Sequence, residues 1–148
     1  VAFIRMEMYI SILLLVLFPF VCFGQEKKQQ ENDSIFTYAD SPSEFRLKML
    51  ENCENAFIIA DQDIKKNRIN LLIVGGITPV VYPSDQTFEE KYQVTYSDYG
   101  DLAAKGECMF NYNSKVFDYL TKKYGKTWRK EVRKDVYGLK EWKKRKRK

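Results

Sequence analysis

The sequence predicts a single α+β domain, with a small two- or three-stranded sheet covered by three to four helices. Three observations carry that prediction. Ile69 to Val74 is a continuous apolar run, rich in branched residues and closed by Gly75-Gly76, with the length and composition of a buried strand. Val94-Thr95-Tyr96 alternates apolar and polar, as a half-buried strand does. Met109, Val116, Phe117, Leu120 and Tyr124 recur at helical spacing and end at Gly125, which suits the C′ position of a helix. The 148 residues leave room for one domain whose core can stand without metal or many disulfides.

The chain opens on an uncharged apolar run, Ile10 to Phe23, preceded by Arg5 and Glu7. A membrane span needs about 20 apolar residues, so this run has instead the length of a signal-peptide core. Cys22 and Gly24 place small residues three and one before a cut that leaves Gln25 as the new N-terminus. Residues 1–24 therefore read as a signal peptide, and the protein is expected to be exported, periplasmic or secreted. The alternative is an uncut leader that anchors the chain in the membrane. Val21 argues against lipidation of Cys22, because a small residue belongs at that position. Residues 25–40 form a polar linker.

Ser41-Pro42-Ser43-Glu44 reads as a helix start, with Ser41 as N-cap, Pro42 at the first helical position and Glu44 completing a capping box. Leu47, Leu50, Phe57, Ile58 and Ile64 then define one buried stripe on a helix that fades near Lys66-Asn67. Gly75-Gly76 reads as a turn or a close approach of backbones; no Lys-Ser/Thr follows, as a phosphate cradle would require. Val80-Val81-Tyr82 is a candidate short strand, confined to an edge by Pro79.

Pro83-Ser84-Asp85 opens a helix of about two turns, with Thr87 and Glu90 as a second capping box and Phe88 and Tyr92 on one face. Strand, helix and strand would form a crossover, right-handed if the strands are parallel. Asp98 to Glu107 is a loop whose acids Asp98, Asp101 and Glu107 lack EF-hand length and spacing, so a solvated loop is preferred to a calcium site. The amphipathic helix runs from Cys108 or Met109 to Tyr124. A last helix begins near Thr127, stacks Trp128, Val132 and Val136 at four-residue steps, places Arg129 and Arg133 on another face, and stops at Gly138. Leu139 to Lys148 reads as a frayed basic tail.

The domain thus spans residues 41–138, and charge is distributed unevenly along it. Lys122 to Lys148 holds 14 Lys/Arg against 3 Asp/Glu, whereas Gln25 to Thr121 holds 10 against 16. There is no histidine, which excludes Ser-His-Asp triads, His-assisted cysteine nucleophiles and most zinc sites. No cofactor is expected. Once the leader is removed, Cys53 and Cys108 are the only cysteines. A bridge between them would contribute about 4 kcal/mol in the chain-entropy model. Two separate buried thiols remain the alternative, because sequence does not measure their separation.

Phe88-Glu89-Glu90-Lys91-Tyr92, followed by Val94 and Tyr96-Ser97-Asp98-Tyr99-Gly100, resembles the signature of FEKKY-domain proteins, small exported bacterial proteins of unassigned function. The resemblance continues through Tyr112-Asn113, Val116-Phe117, Tyr119-Leu120, Lys123-Tyr124-Gly125, Trp128-Arg129 and Glu131-Val132-Arg133-Lys134-Asp135-Val136, and covers roughly residues 63–139. Glu90 departs from it, standing where the family name has Lys. The resemblance implies one exported α+β domain and supplies no catalytic residue.

Two functional classes follow. The first is a non-catalytic envelope or secreted binding module whose interaction surface draws on Arg129, Arg133, Lys143, Lys144, Arg145, Lys146, Arg147 and Lys148. Its partners would be anionic lipid headgroups, with Trp142 at the interface, or an acidic protein. Export argues against nucleic acid in vivo, and a tail that merely aids solubility is the plainer alternative. For Trp128, core packing is preferred to ligand recognition, with Arg129 or Arg133 paired to Glu89 or Glu90. The second class is a His-free enzyme of the periplasm that uses a carboxylate or a Tyr. Its candidates for the base are Asp98, Glu107 and Glu89, and a pocket shared by Asp98, Glu107 and Arg129 would favour it.

Overall fold

The computed structural model describes residues 40–76, 78–100 and 103–147. The chain divides into two units, residues 1–35 and 36–148, and every element below belongs to the second. The leader, Cys22, most of the linker, Asp101 and Lys148 lie outside the described residues.

The expected α+β architecture is present. Its sheet is a parallel pair, β1 (Asn70–Ile73) and β2 (Thr95–Asp98), in the register Asn70↔Thr95 to Ile73↔Asp98. Leu71, Leu72 and Ile73 are all buried, as a strand covered on both faces should be. The connection between the strands carries one helix, α3 (Pro83–Tyr92), which turns Phe88 and Tyr92 into the core. It is three turns long and starts at Pro83, so Thr87 and Glu90 lie inside it rather than capping it. The cap is Asp85, whose carboxylate accepts from the Tyr82 N–H at 2.9 Å. Val80-Val81-Tyr82 forms no strand: all three are exposed and lead directly into the helix.

The long helix α4 (Gly106–Tyr124) is central, packing on β1, on α2 and on both C-terminal helices. It buries Met109, Tyr112, Asn113, Val116, Phe117 and Leu120, and Gly125 follows at its C-cap.

Three expectations about helices change. Residues 41–66 are not one helix. Pro42 is the N-cap of α1 (Ser43–Lys48), no side chain caps it, and the chain breaks before a short 3-10 helix, Cys53–Asn55, and α2 (Ala56–Lys65). The break places Cys53 beside Cys108 of α4, with Cα atoms 4.4 Å apart and a disulfide between them. It also resets the helical phase. Ala56, Ile59, Ala60 and Asp63 face inward, while Ile58 is 56% exposed.

The helix expected from Thr127 to Gly138 is a single turn, α5 (Trp128–Glu131), after which Val132 is extended at ψ 143°. Val136 forms an antiparallel bridge with Ile73 on the open side of β1, and the Tyr137 N–H reaches the Leu72 carbonyl at 2.9 Å. Trp128, Val132 and Val136 are all buried, but a turn followed by extended chain gives them their spacing.

The basic tail is a docked helix, α6 (Leu139–Arg145). Gly138 opens it, at φ 75°, instead of closing the helix before. Leu139 is buried, and Trp142 packs on Phe117 and Trp128 with ring centroids 5.2 and 5.8 Å away. The Trp142 indole N–H donates to Asp118 at 3.1 Å. The described residues therefore hold six α-helices instead of three or four.

Candidate functional site

The docking of α6 decides which cations come together. Leu139 and Trp142 turn inward, so Lys140, Lys143, Lys144 and Arg147 form an outer stripe at steps of three and four residues. Lys134, from the extended segment before the helix, joins them. Lys134, Leu139, Lys140, Lys143, Lys144 and Arg147 line a concavity of about 340 Å³. A second, of about 220 Å³, is lined by Arg129, Lys143, Lys146 and Arg147. Neither contains a carboxylate.

Arg129 is held rigidly. Its guanidinium lies 4.7 Å from the Trp142 ring centroid, and Nη2 donates to Thr121 Oγ1 at 3.1 Å. Its Nε is buried without an acceptor. Lys143 Nζ donates to the Arg129 carbonyl at 3.1 Å. Burial, then the positive charges of Arg129 and Arg147, hold the Lys143 ammonium below its ordinary pKa. Among the described residues, Arg129, Lys134, Lys140, Lys143, Lys144 and Arg147 make no ion pair.

The other predicted surface residues are placed elsewhere. Arg133 lies between the Tyr82 and Tyr96 rings, 4.7 and 5.4 Å from their centroids, and pairs with Asp85 at 3.0 Å and Asp135 at 2.6 Å. It is a staple between α3 and the extended segment after α5. Charge pairing across the signature exists, but with other partners than Glu89 or Glu90. Glu89 accepts from the Tyr96 N–H at 2.6 Å, Glu90 from Gln86, and Lys91 pairs with Glu131 at 2.8 Å. Arg145 stacks on Phe110 at 4.4 Å and faces an adjoining groove that Lys134 and Lys140 share with Glu107, Asp135 and Glu141. Lys146 pairs with Asp118 at 2.9 Å, and Lys148 is outside the described residues. Of the residues expected on an interaction surface, Arg129, Lys143, Lys144, Lys146 and Arg147 line these two concavities; Lys134 and Lys140, which join them, belong in the sequence to the Arg133-Lys134-Asp135 block and to the basic tail. The spacing of residues 140, 143, 144 and 147 was the available signal for Lys140.

Asp98, Glu107 and Arg129 share no concavity. Asp98 Oδ1 accepts from the Gly75 and Gly100 N–H groups at 3.0 and 2.9 Å, tying together the loops that leave β1 and β2. A Cβ on Gly75 would sit 2.1 Å from the Asp98 carboxylate, so this glycine makes room for a side chain and not for the second backbone expected there, while a Cβ on Gly76 would meet nothing. No group of three or more His, Cys, Asp or Glu among the described residues is arranged to hold a metal ion. Nor is any described helix long and apolar enough to cross a membrane.

No family model, no curated protein and no solved structure matches this chain. The likeness to FEKKY-domain proteins therefore rests on the residues quoted for it. Fold and site together define a small α+β domain with a cationic face, most of whose members make no ion pair among the described residues.

Proposed function

We propose that this protein is an exported, non-catalytic binding module that docks on anionic lipid surfaces through the outer face of α6. The observation that carries this reading is the stripe Lys140, Lys143, Lys144 and Arg147, extended by Lys134 and Arg129: two of the concavities it lines hold no carboxylate, although Lys134 and Lys140 also border the groove that holds Glu107, Asp135 and Glu141. Lysine dominates the stripe. A flexible, hydrated point charge suits mobile headgroups better than a fixed pattern of protein carboxylates, which planar guanidinium forks would match. Each such charge near an anionic leaflet contributes about 1 kcal/mol, and salt screens the attraction over about 8 Å at physiological strength. Trp142 is buried in the core, so it does not serve as the interfacial anchor expected of it. Binding by this face is electrostatic and reversible. The Cys53–Cys108 bond and the leader-like run support export, because disulfides persist in oxidising compartments. The resemblance to exported FEKKY-domain proteins points the same way.

The test is co-sedimentation with vesicles of phosphatidylglycerol in phosphatidylcholine, against phosphatidylcholine alone. The protein should bind only the anionic vesicles and release them as salt is raised. The triple variant Lys140→Glu, Lys144→Glu, Arg147→Glu should keep its fold and lose binding. Absence of binding by the wild type would reject the membrane reading and favour an acidic protein partner. Deleting residues 143–148 would not isolate charge, because it removes the end of a docked helix.

A further inference from the structure

We propose that Arg129, Lys143 and Arg147 form a discrete subsite for a phosphate monoester dianion within the cationic face; this rests on the membrane reading above and names the headgroup chemistry it prefers. Most of the stripe consists of exposed, flexible lysines, which attract any anion. Arg129 differs. Stacking on buried Trp142 and the bond to Thr121 fix its plane; Nε is buried, and of the four N–H groups on the terminal nitrogens only one has a protein acceptor among the described residues. A guanidinium with free donors and a fixed orientation is preorganised for two oxygens of one phosphate.

Lys143 and Arg147 border the same concavity of about 220 Å³, which matches one headgroup phosphate better than a peptide or a nucleotide. Four cations line it, of which Lys146 pairs with Asp118, a carboxylate that also accepts from the Trp142 indole, so Arg129, Lys143 and Arg147 are the three without an ion pair among the described residues. A dianion neutralises more of that charge than a phosphodiester monoanion can, and a terminal phosphate offers three free oxygens where a diester offers two. Burial, and after it the like charges of Arg129 and Arg147, depress the Lys143 pKa, and an oxyanion would offset the second of these causes.

The experiment compares vesicles of phosphatidic acid and phosphatidylglycerol, matched in surface potential. The wild type should bind the monoester lipid about tenfold more tightly, the scale of one or two additional charge-assisted hydrogen bonds. Arg129→Lys keeps the charge and loses the planar fork; it should bind both vesicles equally, at the wild-type affinity for phosphatidylglycerol. Arg147→Gln, at an exposed position, should reduce the preference without any effect on folding. Titration of the Lys143 side chain by NMR should move up toward the ordinary lysine range when glycerol phosphate is added. Competition by soluble glycerol phosphate separates the sources. Loss of the preference in its presence assigns the subsite to any phosphate monoester, and persistence assigns it to the lipid-borne one. Equal wild-type affinity for the two vesicles would overturn the subsite and leave membrane docking standing. Failure to bind either vesicle would overturn docking itself.

Discussion

Asn113 reaches from α4 to the outer edge of β1, where its side-chain oxygen accepts from the Leu72 N–H at 3.0 Å. Its amide nitrogen donates to the Leu72 and Tyr137 carbonyls at 3.0 and 2.9 Å. The side chain is fully buried and stands in for a missing third strand. A two-stranded sheet has two bare edges, and an unpaired backbone group in a dry interior is costly. Asn113→Leu, close in size, would leave the Leu72 N–H and the Tyr137 carbonyl without partners, while the Leu72 carbonyl keeps the Tyr137 N–H. The expected loss is about 2–6 kcal/mol, one desolvation penalty for each of the two orphaned groups. Urea denaturation measures it directly. A loss within experimental error would mean that the edge is satisfied by something other than this amide. The same logic explains Arg46 and Asp63, a buried ion pair completed by the Tyr112 hydroxyl, which donates to Asp63 at 2.9 Å and locks α1 and α2 to α4.

At the scale of elements, α6 separates a docked helix from a frayed tail. Trp142→Ala should cost about 3–5 kcal/mol, the usual range for removing a buried aromatic, because Phe117 and Trp128 lose their partner. Amide exchange along α6 should then accelerate, whereas removing exposed charge at Lys144 should leave stability unchanged. A neutral Trp142→Ala would restore the reading of a solvated tail. That misreading has a physical origin. Leu139 and Trp142 stand three apart, a helical signal, but the cations around them dominate any average over the segment. β1 and α4 could be read from sequence because their burial patterns run without interruption. The helix starting at Thr127 could not, because a four-residue rhythm of buried side chains records distance to the core rather than backbone conformation. Val132 and Val136 keep the rhythm on extended chain, held there by pairing with β1. The break between α1 and α2 depends on a partner 55 residues away, which no local pattern contains. The site follows the same division. The stripe along α6 and the turn after it follows from spacing, whereas its meeting with Arg129 and Lys134 depends on how α5 and the chain after it fold back.

At the scale of the molecule, the Cys53–Cys108 bond joins the turn before α2 to the start of α4, the pair of helices that frames the core. Its sulfurs lie among buried groups, with Cys108 fully inaccessible and the Cys53 carbonyl accepting from Asn111 at 3.1 Å. Closing a loop of that length removes entropy from the unfolded chain worth about 4 kcal/mol, a large share of the 5–15 kcal/mol by which ordinary domains are stable. The double variant Cys53→Ser, Cys108→Ser should therefore melt well below the wild type, and a strong reductant should shift the wild type toward the variant's melting temperature. Reductant should leave the variant itself unmoved, which separates cleavage of the bond from any general effect of the reagent. The outcome bears on location as well as stability. A domain that relies on this bond is best maintained where thiols are oxidised, so a large shift would strengthen export and, with it, the approach of α6 to an anionic leaflet outside the cytosol. If the double variant melts with the wild type, the bond contributes nothing to stability, and the case for export falls back on the leader and on the resemblance to exported FEKKY-domain proteins.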